Sequence, residues 1–255
     1  MTLKHAVEVF AKGFAFTRSF THPYLPVRRG PLWRLTDGQR PQSDSRRNEE
    51  WLACGVSPAV VRARVRREAQ GRHSISVILP AGAPDEGVRE AYRAMQYRLI
   101  TTEDLMVHDL KALPGVPRGV PAVVERVRSA GMADRLTRAA RTRQILPEHL
   151  ATDRPLRAYV ALRGGAAVGW VRSITVGRAT WCSNMHVVAR WRRKGIATAL
   201  VRRMLADDQR DGSRTAVLSA SHAGTRLYLA CGYRILGRLL MFLPRRELKG
   251  AQPGV

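Results

Sequence analysis

The sequence predicts an α/β fold, of the α+β kind, in which antiparallel hairpins are flanked by helices. Three observations predict it. Residues 157–188 are apolar, β-branched and aromatic runs cut by Gly164-Gly165 and by Gly177-Arg178, the pattern of consecutive hairpins. From Gly195 the period lengthens, with Ile196, Leu200, Val201, Met204 and Leu205 at three- and four-residue steps, which marks one face of a helix. The ends of the two halves also look alike, "REAYRAMQYRLITTEDLMVHDL" beside "TRLYLACGYRILGRLLMFL", as they would if one unit were present twice.

Composition bounds the reading. At 255 residues the chain has room for two modest domains, each with its own core. No apolar run approaches the ~18 residues of a membrane span, and the opening "MTLKHAVEVFAKGF" carries Glu8 and no small-residue cleavage site. A soluble, cytoplasmic protein is therefore expected. Cys54, Cys182 and Cys231 lie far apart, without C-x-x-C or Cys/His zinc spacing, so reduced thiols and no metal are expected. The formal charge of +24 attracts polyanions, although only five of the cations are lysines and such an arginine bias also follows from genome base composition. Residues 1–110 hold 17 Lys+Arg against 12 Asp+Glu, whereas residues 111–255 hold 27 against 8. The change falls at "KALPGVPRGVP", residues 111–121, whose prolines and glycines read as a linker between a domain at 1–110 and one at 122–255.

The elements follow in order. "RSFTHPYLPVRRGPLWRL", with His22, Tyr24 and Trp33, reads as a packed, proline-rich loop. "SPAVVRARVRREAQ" is a helix with Ser57 at the N-cap and Pro58 at its first position. "HSISVILPAG" then stands before the Tyr92–Tyr97 unit as "SRTAVLSAS" stands before Tyr228–Tyr233. The first half is short, so part of its sheet is expected to be missing. Past the linker, residues 122–146 suggest one or two helices broken near Gly131. Three strands, a cationic glycine turn, a helix stopped by Gly212, the strand "TAVLSA", a helix ending at Gly232 and a final strand or pair of strands complete the chain.

The turn "RWRRKGIATAL" is where chemistry is expected. A strand running through a glycine turn into a helix presents free N–H groups and the positive end of a helix dipole, which together bind phosphate. Gly195 lets backbone approach a ligand, and Arg192, Arg193 and Lys194 add charge-assisted contacts. The turn matches neither the phosphate loop of NTPases nor a full G-x-G-x-x-G, and the hairpins before it are not the parallel crossover a dinucleotide site requires.

"VVARWRRKGIATALVRRML", "GSRTAVLSAS" and "AGTRLYLACGY" in this order and spacing resemble the GNAT superfamily of acyl-coenzyme A-dependent N-acyltransferases, collinearly from about Arg157 to Leu243. The resemblance implies the GNAT fold, a mixed, mostly antiparallel sheet with flanking helices, in tandem with a smaller, degenerate N-terminal copy. It implies that Arg192, Arg193, Lys194, Gly195, Ile196, Ala197 and Thr198 hold the pyrophosphate of acetyl-CoA, and that Val187 and Val188 pair with its pantetheine arm. The Val187 N–H would stabilise the oxyanion, and Tyr228 would protonate the departing thiolate. Ser221 stands where many relatives have Asn. For the general base the candidate is His186, with Asn184 on the same strand face; Glu148, His149, Asp153 or water are alternatives, and His222 lies near the expected coenzyme site. The first half has no R-x-x-G-x-G/A, and Gln96 replaces the glycine before Tyr97. The function implied is N-acetylation of a primary amine, on a small molecule or a peptide, by direct attack. The second reading is a non-catalytic scaffold that holds nucleic acid or another polyanion.

Overall fold

The computed structural model describes residues 1–39, 46–113, 115, 117–151 and 153–245; positions 114 and 116 of the expected linker lie outside them. In chain order the elements are α1 (Leu3–Thr17), β1 (Tyr24–Arg29), β2 (Leu32–Asp37), β3 (Glu49–Cys54), α2 (Pro58–Glu68), β4 (His73–Pro80), α3 (Glu86–Ala94), β5 (Tyr97–His108), β6 (Val123–Arg126), α4 (Ala130–Ala140), β7 (Leu156–Arg163), β8 (Ala166–Val176), β9 (Ala179–Val187), α5 (Ile196–Arg210), β10 (Thr215–Ser221), α6 (His222–Ala230) and β11 (Arg234–Pro244). They form two compact units. One comprises Thr2–Leu105, Ala220–His222 and Ile235–Val255; the other comprises Met106–Ser219 and Ala223–Arg234, with Met1.

In the first unit the strands run β1-β2-β3-β4-β11-β5, and in the second the end of β5 is followed by β10-β9-β8-β7-β6. Pairing is antiparallel at β1–β2, β2–β3, β4–β11, β6–β7, β7–β8 and β8–β9, and parallel at β3–β4 and β9–β10. This is a mixed, mostly antiparallel α+β fold. Each half of the chain repeats one order, in β1–β5 and again in β7–β11: three antiparallel strands, a helix, a parallel strand, a helix and a last strand. The last strand of the chain, β11, serves the first unit.

The first unit is fuller than its length suggests. The "THPYLPVRRGPLWRL" stretch is a six-pair hairpin, β1–β2, turned at Gly30, and not a loop. Pro26 is tolerated in β1 because this strand lies at the edge of the sheet, where a missing N–H breaks no ladder. Trp51, Ile75, Tyr92, Leu240 and Phe242 form its core, with Tyr92 stacked on Phe242 at 4.4 Å between ring centroids. Ser57 does occupy the N-cap of α2, yet its side chain makes no capping bond, and Pro58 follows at the first position.

In the second unit the residues expected to start a helix at 122 instead form β6, because Val123 and Val124 pair at the sheet edge with Leu162 and Ala161. Helix α4 begins later, where the Ser129 hydroxyl accepts from the Met132 N–H, so Gly131 lies inside the helix and does not break it. Helix α5 buries Leu200, Val201, Met204 and Leu205, each contributing about 1.5–3 kcal/mol. Asp208, fully buried on α5, accepts from Arg157 of β7 (2.7 Å), Ser173 of β8 (2.8 Å) and Thr180 of β9 (2.9 Å). One carboxylate thus ties the helix to three strands. Among the described residues no helix is long and apolar enough to cross a membrane.

Candidate active site

The site begins where two parallel strands part. β9 and β10 are paired only at Ala179↔Thr215, Thr180↔Ala216 and Trp181↔Val217, after which β9 continues to Val187 and β10 to Ser221 without a common register. The corresponding strands of the first unit, β3 and β4, stay paired over six residues, from Glu49↔His73 to Cys54↔Ile78. The second unit therefore has a gap between its parallel strands and the first has none.

Val187 faces that gap with its backbone. Its cross-strand partner on β8 is Gly169, and the Val188 N–H donates to the Val168 carbonyl at 3.0 Å. That bond makes Val187↔Gly169 a non-hydrogen-bonded pair, in which both residues turn their own N–H and C=O away from each other. The Val187 amide and carbonyl consequently point to the β10 side. The carbonyl there accepts from Arg192 Nε at 3.0 Å. A Cβ on Gly169 would meet the His186 carbonyl at 3.0 Å and Val187 Cγ2 at 3.2 Å, so this glycine lets the last residues of β9 lie flat against β8. Sequence reasoning passed over Gly169, because a glycine within a strand signals close backbone approach but not to what.

The cationic turn follows. Arg193 and Gly195 both have left-handed backbone, φ 58° and 77°, and Gly195 is the N-cap of α5. The first helical bond runs from the Ala199 N–H to the Gly195 carbonyl, 2.9 Å, so among the described residues none accepts from the amides of residues 193–198. Arg193, Lys194 and Gly195 are exposed, Ala197 and Thr198 half-buried, and Ile196 anchors the turn in the core. Lys194 Nζ lies 4.9 Å from the centre of the Trp191 ring, and a second cation, Arg163, lies 4.4 Å from it.

Tyr228 is buried on α6, its hydroxyl hydrogen-bonded to the Cys182 thiol, on the residue next to the last β9–β10 pair. Burial holds the phenol well above its ordinary value, so it stays protonated across the physiological range. Cys182 was not a candidate from sequence, since nothing in its spacing announces a tyrosine partner. His186 stacks on Trp170, 4.5 Å between centroids, and no described residue bonds its ring nitrogens. Burial, and then the Arg192 charge, lower its pKa, which keeps the imidazole neutral near pH 7.

Other candidates are dispersed. A β-bulge interrupts the alternation before His186: Trp170 faces His186 but Arg172 faces Ser183, leaving an extra residue on β9. Asn184, at φ 53°, lies in this bulge and donates to Gln144. Ser221 and His222 are exposed at the junction of β10 and α6. His149 Nδ1 accepts from the Leu146 N–H within its own turn, and Asp153 is solvent-exposed. Among the described residues no cluster of His, Cys, Asp and Glu could hold a metal ion.

Known proteins resemble the chain over part of its sequence and in its fold. Residues 154–235 match the acetyltransferase (GNAT) domain. The fold resembles a GCN5-related N-acetyltransferase from Kribbella flavida (TM-score 0.62, 16% identity, covering 100% of this chain and 97% of that one). It also resembles a GCN5-related N-acetyltransferase from Sphaerobacter thermophilus (0.54, 16%, 83% and 76%) and a GCN5-related N-acetyltransferase-like protein from Streptococcus suis (0.54, 10%, 94% and 97%). At these identities the likeness is one of fold alone. No protein of curated function matches the chain by sequence. Residues 154–235, around the open gap, thus match a GNAT domain, and the chain as a whole has the fold of GCN5-related N-acetyltransferases, its first half repeating the element order of the second with the gap closed.

Proposed function

We propose that the second unit transfers an acetyl group from acetyl-CoA to a primary amine by direct attack. The observation that carries this reading is the gap beyond Trp181↔Val217, with the Val187 backbone aimed into it and unspent amides at 193–198 on the turn that follows β9. The residues present suit the donor. Free N–H groups at the start of α5 and the cations Arg192, Arg193 and Lys194 match a pyrophosphate, while Val187 and Val188 offer a strand edge to an amide-bearing arm. When bound, acetyl-CoA supplies an acyl group already activated as a thioester.

The chain's own groups would do the rest. Neutral His186 takes a proton from the attacking amine, directly or through water. The Val187 N–H holds the negative charge that develops on the acyl oxygen. Tyr228 gives its proton to the leaving thiolate, its phenol being kept protonated by burial. Ser221 is assigned to a side-chain contact with the donor. The acceptor is an amine on a small molecule or a peptide.

Isothermal titration of the purified protein with acetyl-CoA, repeated on Gly195→Asp, tests the reading. Saturable binding that the variant loses supports it. A folded wild-type protein that does not bind acetyl-CoA sinks it. Gly195 has φ 77°, so a side chain there strains the turn and sets a carboxylate against the expected phosphates.

A further inference from the structure

The first unit carries a concentration of charge that the acetyl-transfer reading does not use. Two adjoining hollows, of ≈ 230 Å³ and ≈ 570 Å³, share Tyr97 and Arg245 in their walls. Arg62 and Arg66 reach them from α2, Arg89 and Arg93 from α3, and Arg98 and Arg245 from β5 and the end of β11. No carboxylate lines either hollow among the described residues.

Most other arginines of the unit have a carboxylate partner; Arg28, over the Trp33 ring, and Arg46, bonded to Gln70, show none among the described residues. Arg34 is bound to Glu49, Arg47 to Asp37, Arg64 and Arg67 to Glu68, and Arg238 to Asp85. Of the six around Tyr97 only Arg89 has a carboxylate, Asp85 at 2.8 Å, among the described residues. Arg62–Arg66 and Arg89–Arg93 are i,i+4 pairs, which set like charges on one helix face at a cost of about 0.2–0.5 kcal/mol each. An arginine bias from base composition would scatter cations over the surface, not gather unpaired ones in a hollow.

We propose that this cleft is a binding site for a compact polyphosphate, an anion carrying three or more phosphate charges on adjacent groups. Guanidinium forks suit phosphate oxygens, and cations converging from two helices and two strands suit a dense charge. The hollows have the volume of a small-ligand site. A single nucleic-acid strand would want exposed aromatic platforms, but Tyr97 is 7% exposed and its hydroxyl is held by His73 Nε2 at 2.9 Å. The site lies wholly within the first unit and stands whether or not the second unit acetylates anything.

The test is titration of the full chain with inorganic tripolyphosphate, at 50 and 200 mM salt, on wild type, Gly195→Asp, Arg62→Ala/Arg66→Ala and Arg93→Ala/Arg98→Ala. These four arginines lie on the unit's surface, and an unchanged melting temperature shows that the variants fold. The expected result is saturable binding that weakens with salt, persists in Gly195→Asp and drops roughly tenfold or more for each arginine removed. Restoring charge with Arg62→Lys/Arg66→Lys should recover part of it. Binding lost in Gly195→Asp but kept in the arginine variants, equal binding of citrate, or binding of a 20-base-pair duplex without any of tripolyphosphate would each overturn the proposal.

Discussion

Arg192 Nε donates to the Val187 carbonyl at 3.0 Å, so the first cation of the turn is tied to the last residue of β9, on the side where β10 has moved away. The same guanidinium lowers the pKa of His186, after burial. Two consequences are expected of Arg192→Ala. The KM for acetyl-CoA should rise roughly 10- to 100-fold, as for loss of one charge-assisted hydrogen bond. The acid limb of kcat/KM should also move to higher pH. The sign follows because a base works when neutral: a lowered pKa extends the working form to lower pH, and removing the cation returns part of that shift. Wild type should show its limb below the ordinary imidazole value, and His186→Ala should show no limb. An unchanged profile in both variants would remove His186 from the mechanism.

Tyr228→Phe keeps the ring that packs 5.5 Å from Tyr233 but deletes the hydroxyl held by Cys182. A loss in kcat of about 100-fold with little change in KM is expected of an acid catalyst. Cys182→Ala leaves the phenol in place and should lower kcat far less. If Tyr228 only fills the core, Tyr228→Phe lowers the melting temperature and leaves kcat alone.

Gly169→Ala places a methyl 3.0 Å from the His186 carbonyl and 3.2 Å from Leu200 Cδ1. Overpacking of this kind costs about 1–3 kcal/mol, and the shift falls on His186 and Val187 at the end of β9. Denaturant melts should show the destabilisation, and acetyl-CoA titration should show weakened binding. Gly164→Ala, whose added methyl would meet no atom within 4 Å, controls for general backbone strain.

Glu50 gives the first unit a pH dependence. Burial pushes its carboxyl up to about 7, against the opposing pull of Arg18. A folded-state pKa above the unfolded value means that the folded chain holds a proton the unfolded chain has released. The associated stability is full below the unfolded value near 4.5 and is lost as pH rises through about 7. Glu50→Gln should flatten that slope, leaving the variant more stable than wild type at pH 8 by up to about 3 kcal/mol and close to it at pH 4. Urea melts at the two pH values measure this, and parallel slopes would refute it.

The internal repeat was legible because it is written in local chemistry. Tyr92 and Tyr97 meet edge to face at 5.7 Å, as Tyr228 and Tyr233 do at 5.5 Å. Gln96, which replaces the glycine of the second copy, adopts the same left-handed backbone, φ 65° against 90° at Gly232. The helix α5 and its glycine turn were legible too, since periodicity and a positive-φ residue are properties of a few consecutive residues. The β1–β2 hairpin and β6 were missed because both depend on partners: Pro26 and Val123 become strand residues only at a sheet edge that sequence does not mark.

By itself the sequence determined the element order from β7 to β11, the cationic turn and the likeness of the two halves, all of which follow from side-chain period and backbone freedom over short stretches. Tertiary structure decided what those parts become. It parted β9 from β10 while keeping β3 and β4 paired, turned the Val187 amide toward the gap, and gathered the arginines around Tyr97. Each is a matter of register and convergence between segments far apart in the chain, and the period of a single strand or helix does not encode which neighbour it will meet.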